Sequence, residues 1–154
     1  MKQSAGILAF RHRDGELEVL LAHPGGPLWA NKDDGAWSIP KGEFDDSEAG
    51  LDAARREFQE ETSIEPPSDG YISLGSIMQK SGKLVYAWAV EMDFDPAQAV
   101  SNNFALEWPP RSGKTIEVPE VDRVEWFRPQ DAHRKANPAQ AELITRLVAL
   151  QTDL

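Results

Sequence analysis

The sequence contains no cysteine, no apolar run of membrane-spanning length and no repeated or low-complexity segment. The first absence excludes disulfides and thiolate metal sites, and says little about compartment. The second excludes a membrane-spanning helix, which needs about 20 consecutive apolar residues. The opening stretch MKQSAGILAFRHRDGE also lacks a long apolar core followed by a small-residue cleavage site. Together these predict a soluble, cytoplasmic protein with no membrane partner. Basic residues are the other scarcity: 16 Lys and Arg stand against 26 Asp and Glu, a formal charge of −10. General binding to nucleic acid or to an anionic membrane draws on clustered lysine and arginine, so no long nucleic acid is expected as a partner.

The 154 residues, 40% of them hydrophobic, suffice for one compact domain, 1–154, and are too few for two ordinary ones. Ser4 to Arg13 and Glu18 to His23 are strand-like and flank the turn pair Asp14-Gly15, which predicts an opening hairpin with Ile7 or Leu8 inward. His12 and His23, near its ends, read as structural or solvent-facing. Pro24 to Ala36 is rich in Gly, Pro, Asn and Asp and reads as a loop. Tyr71 to Gln79 and Leu84 to Met92, around Ser81-Gly82-Lys83, predict a second hairpin in the same sheet. Residues 93 to 119 read as a long, mostly irregular connection. Val121 to Phe127 alternates as a strand and Pro129 starts a short helical turn. Pro138 to Leu150 carries Leu143, Ile144, Leu147 and Val148 at helical spacing, a closing amphipathic helix. The pattern is α/β.

Between the hairpins lies the stretch Gly42 to Ile64, GEFDDSEAGLDAARREFQEETSI, which concentrates acidic residues at helical spacing. Glu57, Glu60 and Glu61 stand at i, i+3 and i+4, so three carboxylates share an arc of roughly 100° on one helix face. Like charges so placed cost about 0.2–0.5 kcal/mol per pair, a sign that a divalent cation would reverse. Gly50 and Ala53 on the same face predict open access to the backbone, while Leu51, Ala54 and Phe58 form the core stripe. Ser47, with Asp45 behind it, is the expected cap at the helix start, and Pro66-Pro67 closes the helical region.

The spacing resembles the Nudix box, GX5EX7REUXEEXGU with U apolar. Gly42, Glu48, Arg56, Glu57, Phe58, Glu60, Glu61 and Ile64 match as they stand. Ser63 occupies the last glycine, just past the helix end, where left-handed backbone is common and serine costs conformational freedom. The resemblance implies an α/β/α sandwich with a central mixed β-sheet, and hydrolysis of a diphosphate linkage in a nucleoside diphosphate derivative with Mg²⁺ or Mn²⁺. Magnesium prefers oxygen ligands and keeps several waters, which suits a clustered carboxylate face with room for phosphate. Glu57 and Glu61 are the expected metal ligands. Glu60 would bind a second ion or take the proton of the attacking water, and the Gly42 carbonyl could face the cation. Arg56 would position a neighbouring glutamate, with Glu48 as its ionic partner. Because the general base varies within the family, Glu107 and Glu120 stand as candidates.

An acidic protein acting on phosphates must supply local positive charge, and Lys41 is a candidate contact. Trp108, between Glu107 and two prolines, with Arg111 and Lys114 nearby, suits a lid that stacks on an aromatic group and pairs with phosphate. Trp29 either stacks on a base or caps the core; both remain open. The box itself is shared by enzymes acting on nucleoside triphosphates, dinucleoside polyphosphates, nucleotide sugars and inositol pyrophosphates. The run Pro40-Lys41-Gly42-Glu43 and the short chain look somewhat like the diadenosine-polyphosphate branch. The alternative from another class is a non-catalytic nucleotide-binding sensor module, against which the intact Glu57, Glu60 and Glu61 weigh. A homodimer is allowed.

Overall fold

The computed structural model describes residues 2–152. The chain opens with β1 (Gln3–Arg13) and β2 (Glu16–Pro24), joined at Asp14 and Gly15, whose φ values of 53° and 79° are the two positive angles a tight hairpin turn requires. Then follow β3 (Lys41–Glu43), α1 (Gly50–Thr62), β4 (Ile72–Met78) and β5 (Leu84–Glu91). After these come β6 (Asn103–Glu107), β7 (Thr115–Pro119), β8 (Val121–Phe127), α2 (Pro129–Lys135) and α3 (Ala141–Thr152).

Strand β1 organises the sheet. Its first half pairs antiparallel with β3 through Ser4, Ala5 and Gly6, and its second half with β2 from Phe10 to Arg13. Along its other edge it runs parallel to β5 from Gln3 to Phe10. The sheet order is β4-β5-β1-β2-β8 with β3 on β1, so the sheet is mixed. A strand covered on both faces needs apolar residues at successive positions. Accordingly Ala5, Ile7 and Ala9 join Ala53, Ala54 and Phe58 of α1 on one face. Leu8 and Phe10 join Ala132 of α2 and Leu143, Ile144 and Leu147 of α3 on the other. The result is the expected α/β/α sandwich.

Four details differ from the sequence expectations. Residues 93 to 119 carry more structure than expected: they contain a two-stranded hairpin, β6–β7, with Phe104 opposite Val118 and Leu106 opposite Ile116. Its period-two pattern is short and punctuated by Pro109, Pro110 and Gly113, and only Val118 of the four apolar residues is buried. Ser47 does not cap α1. Its amide and hydroxyl both turn back to Asp45 Oδ1, and the N-cap is Ala49 with no side-chain hydrogen bond. The helix stops before the prolines because Ser63 adopts left-handed φ and ψ of 62° and 10°. Its amide donates to the Gln59 carbonyl at 2.8 Å and its hydroxyl to the Val100 carbonyl. Gly50 gives no access to a ligand, since an added Cβ would lie 2.8 Å from the Trp88 ring.

Candidate active site

The last-turn carbonyls of a helix need donors from elsewhere. Here Val100 N–H donates to the Thr62 carbonyl and Asn102 N–H to the Glu60 carbonyl, each at 2.9 Å. Asn102 in turn accepts from Glu120 N–H at 2.9 Å, and the Glu120 carbonyl accepts from Gly25 N–H at 3.2 Å. These bonds fasten Glu120, between β7 and β8, beside the acidic end of α1. A cavity of about 340 Å³ results, with Glu57, Glu60, Glu61, Glu120, Lys41 and Gly42 among its walls.

The three box glutamates are not equivalent. Glu60 is exposed, the Glu57 side chain is 14% exposed, and Glu61 is buried. Burial, then the charges of Glu57 and Glu120, pushes the Glu61 carboxyl up to about 8 against opposition from Lys41. Burial also raises Glu57, opposed by Arg56. Glu60 and Glu61 occupy the last turn of α1, where the helix dipole favours cations and no basic residue stands. The arrangement is therefore electrostatically unfavourable until positive charge is supplied. Arg56 supplies part of it: it grips Glu48 through Nη2 at 2.7 Å and Nε at 3.3 Å, and donates through Nη1 to Glu57 Oε1 at 2.8 Å.

Gly42 has a packing reason. A Cβ at this position would fall on the Glu57 carboxylate, so only glycine lets that side chain lie against β3. Gly42→Ala is expected to displace Glu57, lower stability by about 1–3 kcal/mol and remove any activity that needs Glu57. Denaturant unfolding and the melting temperature check the first part, turnover the second.

A second cavity, of about 310 Å³, shares Lys41, Glu61 and Glu120 with the first and is also faced by Trp29, Asn137 and Gln140. Trp29 lies in the 24–36 loop and is 41% exposed, whereas Trp37 is 1% exposed in the core with its indole N–H on Asp33 at 2.8 Å. The loop is held by His23, which is fully buried. Its Nδ1 lies 3.0 Å from Asp122 Oδ1 and its Nε2 lies 2.6 Å from the Lys32 carbonyl oxygen.

A family model described as NUDIX domain matches residues 2–147. The chain belongs to the Nudix family. Its membership makes it a Nudix hydrolase by class, in a family that generally uses divalent metals. The fold is similar to that of a C. elegans Ap4A hydrolase in a binary complex, at 22% identity over 100% of both chains with a TM-score of 0.67. It is also similar to the NUDIX domain of Shewanella oneidensis NrtR complexed with ADP ribose. That match has 18% identity over 97% of this chain and 87% of that one, with a TM-score of 0.64. The E. coli ORF135 protein matches at 23% identity over 99% of this chain and 94% of that one, with a TM-score of 0.58. At these identities the likeness concerns the fold. No curated protein matches the chain.

The Nudix-box carboxylates suit a hard cation in chemistry. They offer oxygen donors at a cavity, and the buried Glu61 has no full counter-charge. Among the described residues, however, no three acidic or histidine side chains are arranged to hold an ion as they stand. Arg56 accounts for part of this, since it engages Glu57 and, at 3.4 Å, both oxygens of Glu60.

The remaining sequence candidates lie elsewhere. Trp108, Arg111 and Lys114 belong to the β6–β7 turn and line neither of the two cavities. Glu107 closes that turn, accepting from Arg111 N–H at 3.1 Å and Gly113 N–H at 3.3 Å. Conversely, Ser4, Lys83 and Asn102 line the acidic cavity without having been singled out in the sequence. Only Lys83, in its Ser-Gly-Lys turn, carried a charge that could have drawn notice.

Proposed function

We propose that this Nudix hydrolase is a Mg²⁺- or Mn²⁺-dependent pyrophosphohydrolase that cleaves a diphosphate linkage in a nucleoside diphosphate derivative, a nucleoside triphosphate or a dinucleoside polyphosphate. The observation that carries the reading is the cavity at the end of α1, where the carboxylates of Glu57, Glu60, Glu61 and Glu120 meet beside Lys41. Glu57, Glu61 and the Gly42 carbonyl would hold the metal, with Glu60 available to a second ion. Bound there, it would neutralise charge on the phosphate oxygens and lower the pKa of a bound water. Hydrolysis forms one P–O bond from water and breaks the anhydride P–O bond, and the proton of the water passes to a carboxylate. Glu120 and Glu60 are the acceptors in reach of the cavity. Glu120 has the better-fixed backbone, held from both sides by Gly25 and Asn102. Arg56 orients Glu57 while Glu48 keeps Arg56 in place.

The neighbouring cavity receives the nucleoside, with the exposed Trp29 ring as a stacking surface and Asn137 as a polar contact. The two cavities share Lys41, Glu61 and Glu120 in their walls, which suits a group joined to a phosphate chain. The likeness in fold to an Ap4A hydrolase supports the polyphosphate class.

The test is product release from a panel of nucleoside triphosphates, dinucleoside polyphosphates and nucleotide sugars, with Mg²⁺, Mn²⁺ or a chelator. Metal-dependent cleavage of one class supports the reading and names the class. Silence across the panel, while nucleotide still raises the melting temperature, replaces it with a nucleotide sensor.

A further inference from the structure

The cavity that Trp29 faces has a wall of side-chain amides: Gln79 just after β4, Asn137 between α2 and α3, and Gln140 just before α3. Its carboxylates, Glu61 and Glu120, belong to the wall it shares with the acidic site. An amide side chain presents either an oxygen that accepts or a nitrogen that donates, and its partners decide which. Here two backbone N–H groups, which can only donate, fix the choice. Ile39 N–H donates to Gln140 Oε1 at 2.9 Å, so the nitrogen of this buried amide points the other way. It donates to Gln79 Oε1 at 3.0 Å and to Ser38 Oγ at 3.1 Å, whose own hydroxyl donates to the Ile39 carbonyl. With its oxygen engaged, Gln79 is left with its NH₂ group. Ala139 N–H donates to Asn137 Oδ1 at 3.0 Å, which leaves the Asn137 NH₂ in the same condition. Both residues are half-buried, and among the described residues neither nitrogen has an acceptor or is sealed from solvent.

We infer that the free NH₂ groups of Gln79 and Asn137 read the base, selecting 6-oxopurines and 4-oxopyrimidines over adenine and cytosine. The inference rests on the pyrophosphohydrolase reading and adds the base to it. A 6-oxopurine offers O6 and N7 as adjacent acceptors and uracil or thymine offers O4, whereas adenine and cytosine put an amino donor at the corresponding place. Donors that face an amino group lose their water and gain no partner, so the cost falls on the wrong base. Gln140 is a positioning residue: by donating to Gln79 it stops that amide from turning over and offering its oxygen. Asn137 is held likewise, with its backbone N–H on the Trp37 carbonyl at 2.7 Å. The Trp29 ring can stack on any base, so discrimination is left to the amides.

NMR titration with free nucleosides, in the presence of chelator, reads the base pocket without phosphate, metal or turnover. Inosine against adenosine, and uridine against cytidine, each exchange an oxo group for an amino group. The wild-type protein is expected to bind the oxo member of each pair about tenfold more tightly. Gln79→Glu keeps an oxygen for Gln140 and Asn137→Asp keeps one for Ala139 N–H, but each replaces the free donor by an acceptor. Both should abolish or invert the preference, and because the nucleosides are uncharged the ratio is not confounded by the added charge. Gln140→Met, which removes the donor that orients Gln79, should lower the ratio severalfold, a readout that a packing role alone would not move. The melting temperature identifies variants that fold, and Gln79→Ala and Asn137→Ala, expected to bring the ratio towards one, stand in for any that do not. Absence of nucleoside binding, equal affinities within each pair, or the wild-type ratio in folded Gln79 and Asn137 variants overturns the inference. Nucleoside selectivity without cleavage of any nucleotide would remove the hydrolase reading and leave the base pocket. Metal-dependent cleavage with equal kcat/KM for ITP and ATP, and for UTP and CTP, would keep the hydrolase and remove the base selection.

Discussion

Glu57→Gln is expected to lower turnover by about 10²–10⁴-fold, the range for loss of one charged group that acts on the transition state, while leaving the fold intact. The substitution keeps size and shape, so the side chain still lies against Gly42, where no Cβ competes for its place. Its Oε1 can still accept from Arg56, and Arg56 keeps its two-point grip on Glu48. Burial raises the Glu57 carboxyl, so removing the charge relieves an unfavourable ionisation and the metal-free protein should melt no lower than wild type. Turnover measured beside thermal unfolding separates the outcomes. Near-normal turnover would move the site away from α1. Lost turnover with a collapsed melting transition would make Glu57 a structural residue.

Glu61→Gln should shift metal-free stability in the same direction as Glu57→Gln, by a larger margin that depends on pH. The folded Glu61 carboxyl titrates at about 8 against a reference value of 4.5. The native state therefore keeps a proton that the unfolded chain releases. Stability is fully present below about pH 4.5, falls as pH rises toward 8, and levels off above it. The slope is about 1.4 kcal/mol per pH unit, on the order of 3 kcal/mol by pH 7. The Gln variant lacks this loss, so its metal-free melting temperature should exceed that of wild type by about 5 °C or more at pH 8, with the difference gone at pH 4. Wild type should gain stability from Mg²⁺ or Mn²⁺ by mass action. Because binding displaces the proton, metal affinity should rise about tenfold per pH unit between 6 and 8. The variant should show neither response. Parallel pH–stability curves for the two proteins would mean that Glu61 is ionised in the metal-free fold.

The helix and its acidic face were legible because both are local. A period of 3.6 residues places Glu57, Glu60 and Glu61 together whatever the rest of the chain does. The same holds for the Asp14-Gly15 hairpin, the strand Val121–Phe127 and the closing helix, each of which has its own punctuation. The β6–β7 hairpin was harder to read. Its four apolar residues do alternate, but proline and glycine in the turn dominate the stretch, and backbone pairing rather than burial holds the strands together. Ser47 illustrates a local competition: Asp45 offers its amide a nearer partner than a helix start would. Ser63 resolves the departure from the box, since serine adopts the left-handed turn and secures it with a bond to the Val100 carbonyl.

The sequence by itself determined the chemistry available: carboxylates at helical spacing and an arginine to orient them, whereas the room that Gly42 leaves for Glu57 emerged only from the packing of β3 on α1. The tertiary structure alone decided which carboxylate is buried and which is exposed, because that depends on the sheet face against which α1 packs. It also decided that Glu120, Ser4 and Lys83 face the same cavity, and that Trp108, Arg111 and Lys114 do not. Those placements follow from strand pairing and from the hydrogen bonds that finish α1. Such contacts join residues far apart in the chain, and no local period records them.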